Sequence, residues 1–273
     1  MKELPFVKMQ GLGNDFVILD DVSHGGGAQI SLPTSLAKQV CDRRFGVGAD
    51  QILWLKQPHD KACDVRMEIV NSDGSIGEMC GNGVRAVALF LNRYGIEKKL
   101  EYRVETLGGI QKVQIHGSNV LVDMGIPKLG AGFPQEGELI RLKDRELRFF
   151  EVNVGNPHAI FFVDNVGRFP VEEVGPLVET HRRFPNRTNV EFIEVRSPTS
   201  IKVRVWERGA GITLACGSGA CAAAVACVAL KKTEPMMDVQ LPGGKLKIGW
   251  NGPSTSVMME GPAQEVFKGI YFY

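Results

Sequence analysis

The chain has 273 residues, a length that allows one large domain or two domains of medium size. Its 32 basic and 31 acidic residues give a net charge of +1, which predicts neither nucleic acid nor an anionic membrane as a partner. A hydrophobic share of 44% and a charged share of 23% are typical of a globular protein and exclude an intrinsically disordered chain.

The apolar runs and the cysteines predict a cytoplasmic protein. The longest apolar run, residues 220–230, is too short to span a membrane, and the first residues do not resemble a signal peptide. Six cysteines without a CxxC pair predict neither a disulfide scaffold nor a metal site, so we expect reduced thiols. Four of them are interpreted as buried apolar residues: Cys41, Cys63, Cys221 and Cys227.

Short alternating or apolar runs predict strands of four to seven residues in both halves of the chain. Two further stretches, 84–94 and 220–232, predict helices, and the second is apolar on every side, so we expect it to be buried all round. The fold class is therefore α/β. The predicted strands are residues 16–20, 51–55, 65–70, 112–116, 120–124, 149–154, 159–164, 189–195 and 201–206.

An internal repeat divides the chain into two halves. Cys80–Gly83 and Cys216–Gly219 each open one of the predicted helices, and their cysteines lie 136 positions apart. Further blocks recur in the same order at offsets of up to 142 positions. These blocks are Gly13-Asn14 with Gly155-Asn156, Arg43-Arg44-Phe45 with Arg182-Arg183-Phe184, and, nine residues before each cysteine, Asn71 with Glu207.

The repeat predicts two homologous domains related by a two-fold-like arrangement, which would bring equivalent elements to face each other. We place the first at residues 1–118 and the second at residues 119–262. The tail, residues 263–273, is too apolar to remain in solvent, and we expect it to pack back on the first domain.

A cysteine followed by Gly-x-Gly at the start of a helix lies where free backbone N–H groups and the helix dipole converge. This environment predicts a lowered thiol pKa, and the glycines allow an anionic ligand to approach the same N–H groups. Two such thiols on either side of one carbon, Cys80 and Cys216, form an acid–base pair that removes a proton from one face and returns one to the other. The sequence therefore predicts a racemase or epimerase of amino acids, for which no pyridoxal lysine is needed.

Six segments carry a resemblance to a known family: residues 8–20, 43–53, 71–86, 152–161, 187–192 and 206–223. Across nearly the whole chain the sequence resembles diaminopimelate epimerases. The resemblance implies cofactor-independent interconversion of LL- and meso-2,6-diaminopimelate, in lysine and peptidoglycan precursor synthesis, with Cys80 and Cys216 as base and acid. It further implies two similar domains with strands wrapped around a central helix, an active site in the interdomain cleft, and a homodimer. Phe267 stands where some members carry a tyrosine associated with the dimer contact.

The resemblance also implies the remaining site residues. Arg208 is expected to hold the distal carboxylate of the substrate, and the helix starts are expected to offer N–H groups to the carboxylate at the reacting carbon. His158 and Glu207 match positions that assist catalysis. The expected substrate contacts are Asn14, Gln51, Asn71, Gly81, Asn82, Asn156, Asn189, Glu207, Arg208, Gly217 and Ser218.

Two alternatives remain open at this point. A proline or hydroxyproline racemase would use the same two thiols, although proline has no distal polar end to occupy the asparagine and arginine side chains. A thiol redox sensor, a different class of protein, would join Cys80 and Cys216 in a reversible disulfide.

Overall fold

The computed structural model describes residues 2–22, 32–95, 97–133, 136–143 and 145–273. The chain divides into two compact units: unit 1 comprises Met1–Val122 and Gly261–Tyr273, and unit 2 comprises Asp123–Glu260. Unit 1 extends beyond residue 118 because the residues that follow form a further strand of this unit. In its antiparallel pairing Val122 lies opposite Val113. Both units mix strands and helices, which confirms the α/β class.

The described residues form four helices and nineteen strands. All nine segments that the sequence predicts as strands are strands. The helices are α1 (Thr34–Cys41), α2 (Gly81–Tyr94), α3 (Val171–Glu179) and α4 (Gly217–Ala229). The strands are β1 (Glu3–Gly11), β2 (Asn14–Asp20), β3 (Gln51–Lys56), β4 (Val65–Asn71), β5 (Ile76–Gly77), β6 (Glu101–Thr106), β7 (Gly109–His116), β8 (Asn119–Asp123), β9 (Lys128–Leu129), β10 (Glu138–Arg141), β11 (Glu146–Asn153), β12 (Pro157–Phe162), β13 (Asn189–Ser197), β14 (Ser200–Glu207), β15 (Gly211–Ile212), β16 (Met236–Leu241), β17 (Gly244–Gly249), β18 (Met258–Pro262) and β19 (Gln264–Phe272).

The two units share one order of strand pairings. In unit 1, β2 lies parallel to β3, β3 antiparallel to β4, β4 parallel to β6, and β6, β7 and β8 follow as an antiparallel series. In unit 2 the same order runs through β12, β13, β14, β16, β17 and β18. The repeated order is that of a fold built from two pseudo-symmetric halves.

The register of these pairings shows which residues occupy equivalent positions. In unit 1 the parallel pair aligns Phe16 with Gln51, and in unit 2 it aligns His158 with Asn189. Phe16 is therefore equivalent to His158, and Gln51 is equivalent to Asn189. In unit 1, β1 also pairs with β2 and with β19, which is formed by the C-terminal residues.

Helix α4 is enclosed on every side, as its composition predicts. Its residues from Gly219 to Cys227 are all buried, and the helix packs against β11, β12, β13, β14, β16 and β17. Alanine favours the helical conformation, and an all-apolar helix is stable in water only when it is covered. The four cysteines interpreted as core residues are all buried. None of the helices in the described part of the chain is long and apolar enough to cross a membrane.

Candidate active site

Cys80 caps the N-terminus of helix α2. Its backbone is extended, and its Sγ accepts a hydrogen bond from the Gly83 N–H over 3.3 Å. The thiol is half-buried, and Sγ lies 3.7 Å from Asn14 Oδ1. The same oxygen accepts from Asn82 Nδ2 over 3.3 Å, so these three predicted site residues lie together at the helix start.

Cys216 caps helix α4 in the same way. Its Sγ accepts from the Gly219 N–H over 3.3 Å and lies 3.5 Å from the Ser218 hydroxyl. Unlike Cys80, this thiol is buried, with 6% of its surface exposed. A cysteine, Gly-x-Gly and a helix start therefore form the same local structure in both units.

The lowered thiol pKa expected for Cys216 is wrong for this arrangement. Burial raises the pKa of the Cys216 thiol well above its usual range, and the carboxyl groups of Glu207 and Glu191 raise it further when they are ionised. Hydrogen bonds from Ser218 and the Gly219 N–H act in the opposite direction but do not outweigh these effects. Cys216 is therefore a protonated thiol at neutral pH, and its chemistry starts from the acid form.

Asn14 is oriented by a network of charged side chains. Its Nδ2 donates to Asp50 Oδ2 over 2.9 Å, and a carboxylate accepts but does not donate, so Asn14 Oδ1 is left facing Cys80. Asp50 in turn accepts from Arg43 over 2.7 Å. Asp15, the residue after Asn14, accepts from Arg43 and from the buried Lys8 Nζ, the latter over 2.6 Å.

We expect Asp15→Asn to destabilise the protein by about 2 to 4 kcal/mol at pH 7, because it leaves Lys8 buried without its charge partner. Burial alone would raise the pKa of the Asp15 carboxyl, but hydrogen bonds from Arg43 and Lys8 hold this pKa well below its usual range. The stability that Asp15 contributes is therefore complete above about pH 4 and is lost as the pH falls further. Urea unfolding at pH 7, 5, 4 and 3 measures both effects.

The control is Asp238→Asn, which removes an exposed partner of Lys245 and is expected to change stability by less than about 1 kcal/mol. The variant Asp15→Asn should lose less stability between pH 5 and pH 3 than the wild type does. Equal acid sensitivity of the two proteins would contradict the role given to Asp15.

Gln51 and Asn71 form a second pair in unit 1. They lie opposite each other on β3 and β4, and Gln51 Nε2 donates to Asn71 Oδ1 over 2.9 Å. Asn71 Nδ2 donates to the Ser75 hydroxyl. Gln51 Oε1 is buried and has no hydrogen-bond partner among the described residues, so it is the acceptor in this pair that a ligand donor would satisfy.

In unit 2 a line of polar contacts connects β12 and β13 to the start of α4. Asn156 Nδ2 donates to the Ser218 hydroxyl over 3.4 Å, and Asn156 Oδ1 lies 2.9 Å from His158 Nε2. On the other side of the ring, His158 Nδ1 lies 2.7 Å from Glu191 Oε1, and both side chains are fully buried.

Glu191 was not predicted as a site residue. The signal was present, since Glu191 is a charged residue between the apolar Val190 and Phe192 in the strand Asn189–Ser197. Only the pairing of β12 with β13 places it beside His158, and that register could not be read from composition.

Glu207, Asn189 and Arg208 lie together where β13 and β14 meet. Glu207 accepts from the Thr213 hydroxyl and hydrogen-bonds the Cys216 thiol, while loss of solvent raises the pKa of its carboxyl. Asn189 Oδ1 accepts from the Arg208 backbone N–H over 3.0 Å. The Arg208 side chain is exposed, and no carboxylate among the described residues forms an ion pair with it.

The remaining predicted contacts, Gly81 and Gly217, are the first residues of α2 and α4, and both are buried. Among the described residues, no group of three His, Cys, Asp or Glu side chains is arranged to hold a metal ion. The first backbone N–H groups of a helix have no acceptor within the helix itself, and each of these helix starts is therefore of a kind that suits a carboxylate.

The sequence matches one family model over most of its length. Residues 6–130 and 150–266 match the model described as diaminopimelate epimerase. A diaminopimelate epimerase of Carboxydothermus hydrogenoformans is 47% identical over 98% of this chain and 100% of its own length. One from Teredinibacter turnerae is 42% identical over 97% of this chain and 98% of its own.

Solved structures show the same fold at low sequence identity. A hydroxyproline epimerase from Agrobacterium vitis aligns with a TM-score of 0.74 and 16% identity, over 99% of this chain and 91% of that one. A PhzF-family phenazine biosynthesis protein from Bacillus anthracis aligns with a TM-score of 0.73 and 16% identity, over all of both chains. At this level of identity the likeness shows the fold alone.

Proposed function

The chain belongs to the diaminopimelate epimerase family, and on this premise we propose that Cys80 and Cys216 exchange the α-proton of diaminopimelate. The protein is an isomerase that epimerises diaminopimelate. The observation that supports the two-thiol mechanism is the repeated cap, in which each Sγ accepts from the glycine N–H three residues later over 3.3 Å. The proposal covers the LL and meso isomers and requires no cofactor.

The two thiols have complementary roles in each direction. In the first, the Cys80 thiolate removes the α-proton from one face of the carbon, and the Cys216 thiol delivers its own proton to the other face. The pair then holds a Cys80 thiol and a Cys216 thiolate, which is the state required for the reverse reaction. The protonated resting form of Cys216 supports its role as the acid in the first direction.

Charge develops on the carboxylate of the reacting carbon when the α-proton leaves. We assign this carboxylate to the N–H groups at the starts of α2 and α4, residues Gly81, Asn82, Gly217 and Ser218, because helix N-termini stabilise anions. Donors already directed at the developing charge lower the barrier without reorganisation.

The distal end of the substrate carries an ammonium group and a carboxylate. Arg208 is proposed to bind this carboxylate, since its guanidinium is exposed and has no acidic partner among the described residues. The asparagine and glutamine oxygens of the site are acceptors for ammonium groups, and among them Gln51 Oε1 has no partner in the described part of the chain. We include Asn71, Asn156, Asn189 and Glu207 among the residues proposed to contact the substrate.

Proton NMR of LL-diaminopimelate in D2O with the reduced protein tests the proposal. We expect loss of the α-proton signal together with formation of the meso isomer, as measured by chiral analysis. Retention of the α-proton in the presence of reductant would contradict it. Proline and hydroxyproline under the same conditions test the alternative racemase, and exchange of either in place of diaminopimelate would replace the proposed substrate.

We further propose a cytoplasmic homodimer that acts in lysine and peptidoglycan precursor synthesis and binds neither nucleic acid nor membranes. Four apolar side chains of β19 are about half exposed and could be covered by a second copy: Val266, Phe267, Ile270 and Phe272. The Phe267 ring packs edge-on against Phe6, which holds it at the surface of β1 and β19. Sedimentation equilibrium should give twice the mass of the chain, and a monomer mass would contradict the dimer.

A further inference from the structure

The pair His158–Glu191 is a buried polar pair at a position where the other half of the fold is apolar. The two parallel strand pairings make Phe16 equivalent to His158 and Leu53 equivalent to Glu191. All four side chains are at most 1% exposed. The fold is therefore built at this position in unit 1 without any polar group.

Two glycines support the same equivalence. A Cβ added to Gly83 in α2 would meet the side-chain methyl groups of Leu53 at 3.1 and 3.2 Å, and one added to Gly219 in α4 would meet Glu191 Oε1 at 2.7 Å. Gly83 and Gly219 are each the third residue of their helix, and they pack against Leu53 and Glu191, respectively. Gly219 provides the space that brings the Glu191 carboxyl to the helix capped by Cys216.

From Glu191 the contacts continue as a chain to Cys216. Asn156 Oδ1 can only accept, so His158 Nε2 carries the hydrogen in their 2.9 Å contact. Because Asn156 Oδ1 faces the histidine, Asn156 Nδ2 faces the Ser218 hydroxyl and donates to it over 3.4 Å. The hydrogen of this hydroxyl can then be donated to Cys216 Sγ, 3.5 Å away. Each hydrogen bond in this series therefore has its donor on the Glu191 side and its acceptor on the side of the Cys216 thiol.

We propose that Glu191 is a positioning residue, whose carboxylic acid group donates a hydrogen bond to His158 Nδ1 and thereby directs a series of hydrogen bonds through Asn156 and Ser218 toward Cys216. This inference rests on the proposed function of Cys216. It assigns to Glu191 a part in the reaction without contact to substrate.

The surroundings of Glu191 support the protonated acid. Its second oxygen, Oε2, is buried and has no partner among the described residues, which costs far less for a neutral acid than for a carboxylate. Burial raises the pKa of Glu191 although His158 lowers it. A neutral Glu191 donates to Nδ1 and fixes the neutral ring with its hydrogen on Nε2.

This arrangement matters because Cys216 must become a thiolate in one direction of the reaction. The groups that face it are the carboxyl groups of Glu207 and Glu191, the Ser218 hydroxyl and the Gly219 N–H, with His158 behind Glu191. A proton held by Glu191 removes one negative charge from these surroundings. The directed hydroxyl of Ser218 adds a donor to the thiolate.

Three variants separate positioning from structure. Glu191→Leu introduces the residue that unit 1 has at this position, and Glu191→Gln keeps a donor for His158 Nδ1 in the shape of a neutral acid. Glu194→Gln is the matched control, since Glu194 is a buried residue of the same strand that contacts Val166 and Arg196 instead. Circular dichroism and Tm establish that each variant is folded.

We expect Glu191→Leu to lower kcat by at least about tenfold with KM nearly unchanged, and Glu191→Gln to recover most of that loss. Glu194→Gln should retain the wild-type kcat. Folded Glu191→Leu with the wild-type kcat would overturn the proposal. Equal losses in Glu191→Leu and Glu191→Gln would also overturn it. Such a result would mean that the site needs an ionised carboxylate at position 191 and not a hydrogen-bond donor.

Nitrogen NMR of the histidine-labelled wild type reads the ring directly, with His158→Gln to assign its signals. Between pH 6 and pH 8 we expect a neutral His158 with hydrogen on Nε2. An imidazolium, or hydrogen on Nδ1, would overturn the proposal even if the enzyme is active. Because this measurement does not involve turnover, a failure of the proposed function appears separately, as absence of α-proton exchange in the wild type.

Discussion

Cys80→Ser and Cys216→Ser are each expected to lower epimerisation of diaminopimelate by about 10²- to 10⁴-fold, because a serine hydroxyl is too weak an acid to replace a thiol in proton transfer. Both thiols occupy the same cap, so serine keeps the hydrogen bond from the glycine N–H and changes mainly the acidity. The measurement is the initial rate from LL- and from meso-diaminopimelate.

The two variants should differ in the isotope exchange that remains. With one thiol left, a proton can be removed from one face only and returned from solvent to the same face. In D2O each variant should therefore exchange the α-proton of one isomer without inverting it, and the two variants should exchange opposite isomers. The same residual exchange in both would contradict the assignment of one thiol to each face.

Cys63→Ser is the control for general effects of losing a thiol. Cys63 is buried in unit 1, and burial raises the pKa of its thiol. Its replacement should leave both rates near those of the wild type. A large loss in this variant would show that the assay reports on folding or on the oxidation of any cysteine.

The helix caps could be predicted from the sequence because their structure is local. A cysteine, two glycines and an apolar stretch specify a helix start within a few residues, and the repeat of this pattern singled out Cys80 and Cys216 from six cysteines. The nine predicted strands have the same origin, since alternation and apolar runs are properties of short segments. Family resemblance supplied the remaining site residues, whose roles depend on substrate.

The strands that were missed are those with weak local patterns. β6 carries charged or polar residues at alternate positions, and β16 and β17 pair with each other across a short turn, so their partners decide their conformation. β1 contains Pro5, which weakens a strand prediction, but its pairing with β2 and β19 maintains the strand. Long-range pairing of this kind is invisible in a window of ten residues.

The pKa of Cys216 shows the same limit at the site. The helix dipole and the Gly219 N–H are local and predict a more acidic thiol. Burial and the carboxyl groups of Glu191 and Glu207 come from other strands of unit 2, and they reverse the direction. A local motif therefore predicted the position of the thiol correctly and the direction of its pKa shift wrongly.

Arg208→Leu is expected to lower kcat/KM for diaminopimelate by about 100-fold or more, because two charge-assisted hydrogen bonds to the distal carboxylate together contribute about 3 kcal/mol. Arg208→Lys should recover only part of the loss, since an ammonium group cannot form the planar bidentate pair. Steady-state rates with LL-diaminopimelate over a range of concentrations measure both variants.

Lysine distinguishes the role of Arg208 in binding from a general effect on the site. Lysine is diaminopimelate without the distal carboxylate, so the rate at which the protein exchanges the α-proton of lysine in D2O should be nearly the same in the wild type and in Arg208→Leu. Arg168→Leu, which removes another exposed arginine of unit 2, is the control and should leave both substrates unaffected. If Arg208→Leu slowed lysine exchange as strongly as diaminopimelate turnover, Arg208 would act on the thiols or the fold. Loss confined to diaminopimelate would identify the guanidinium as the group that selects a substrate with a second carboxylate.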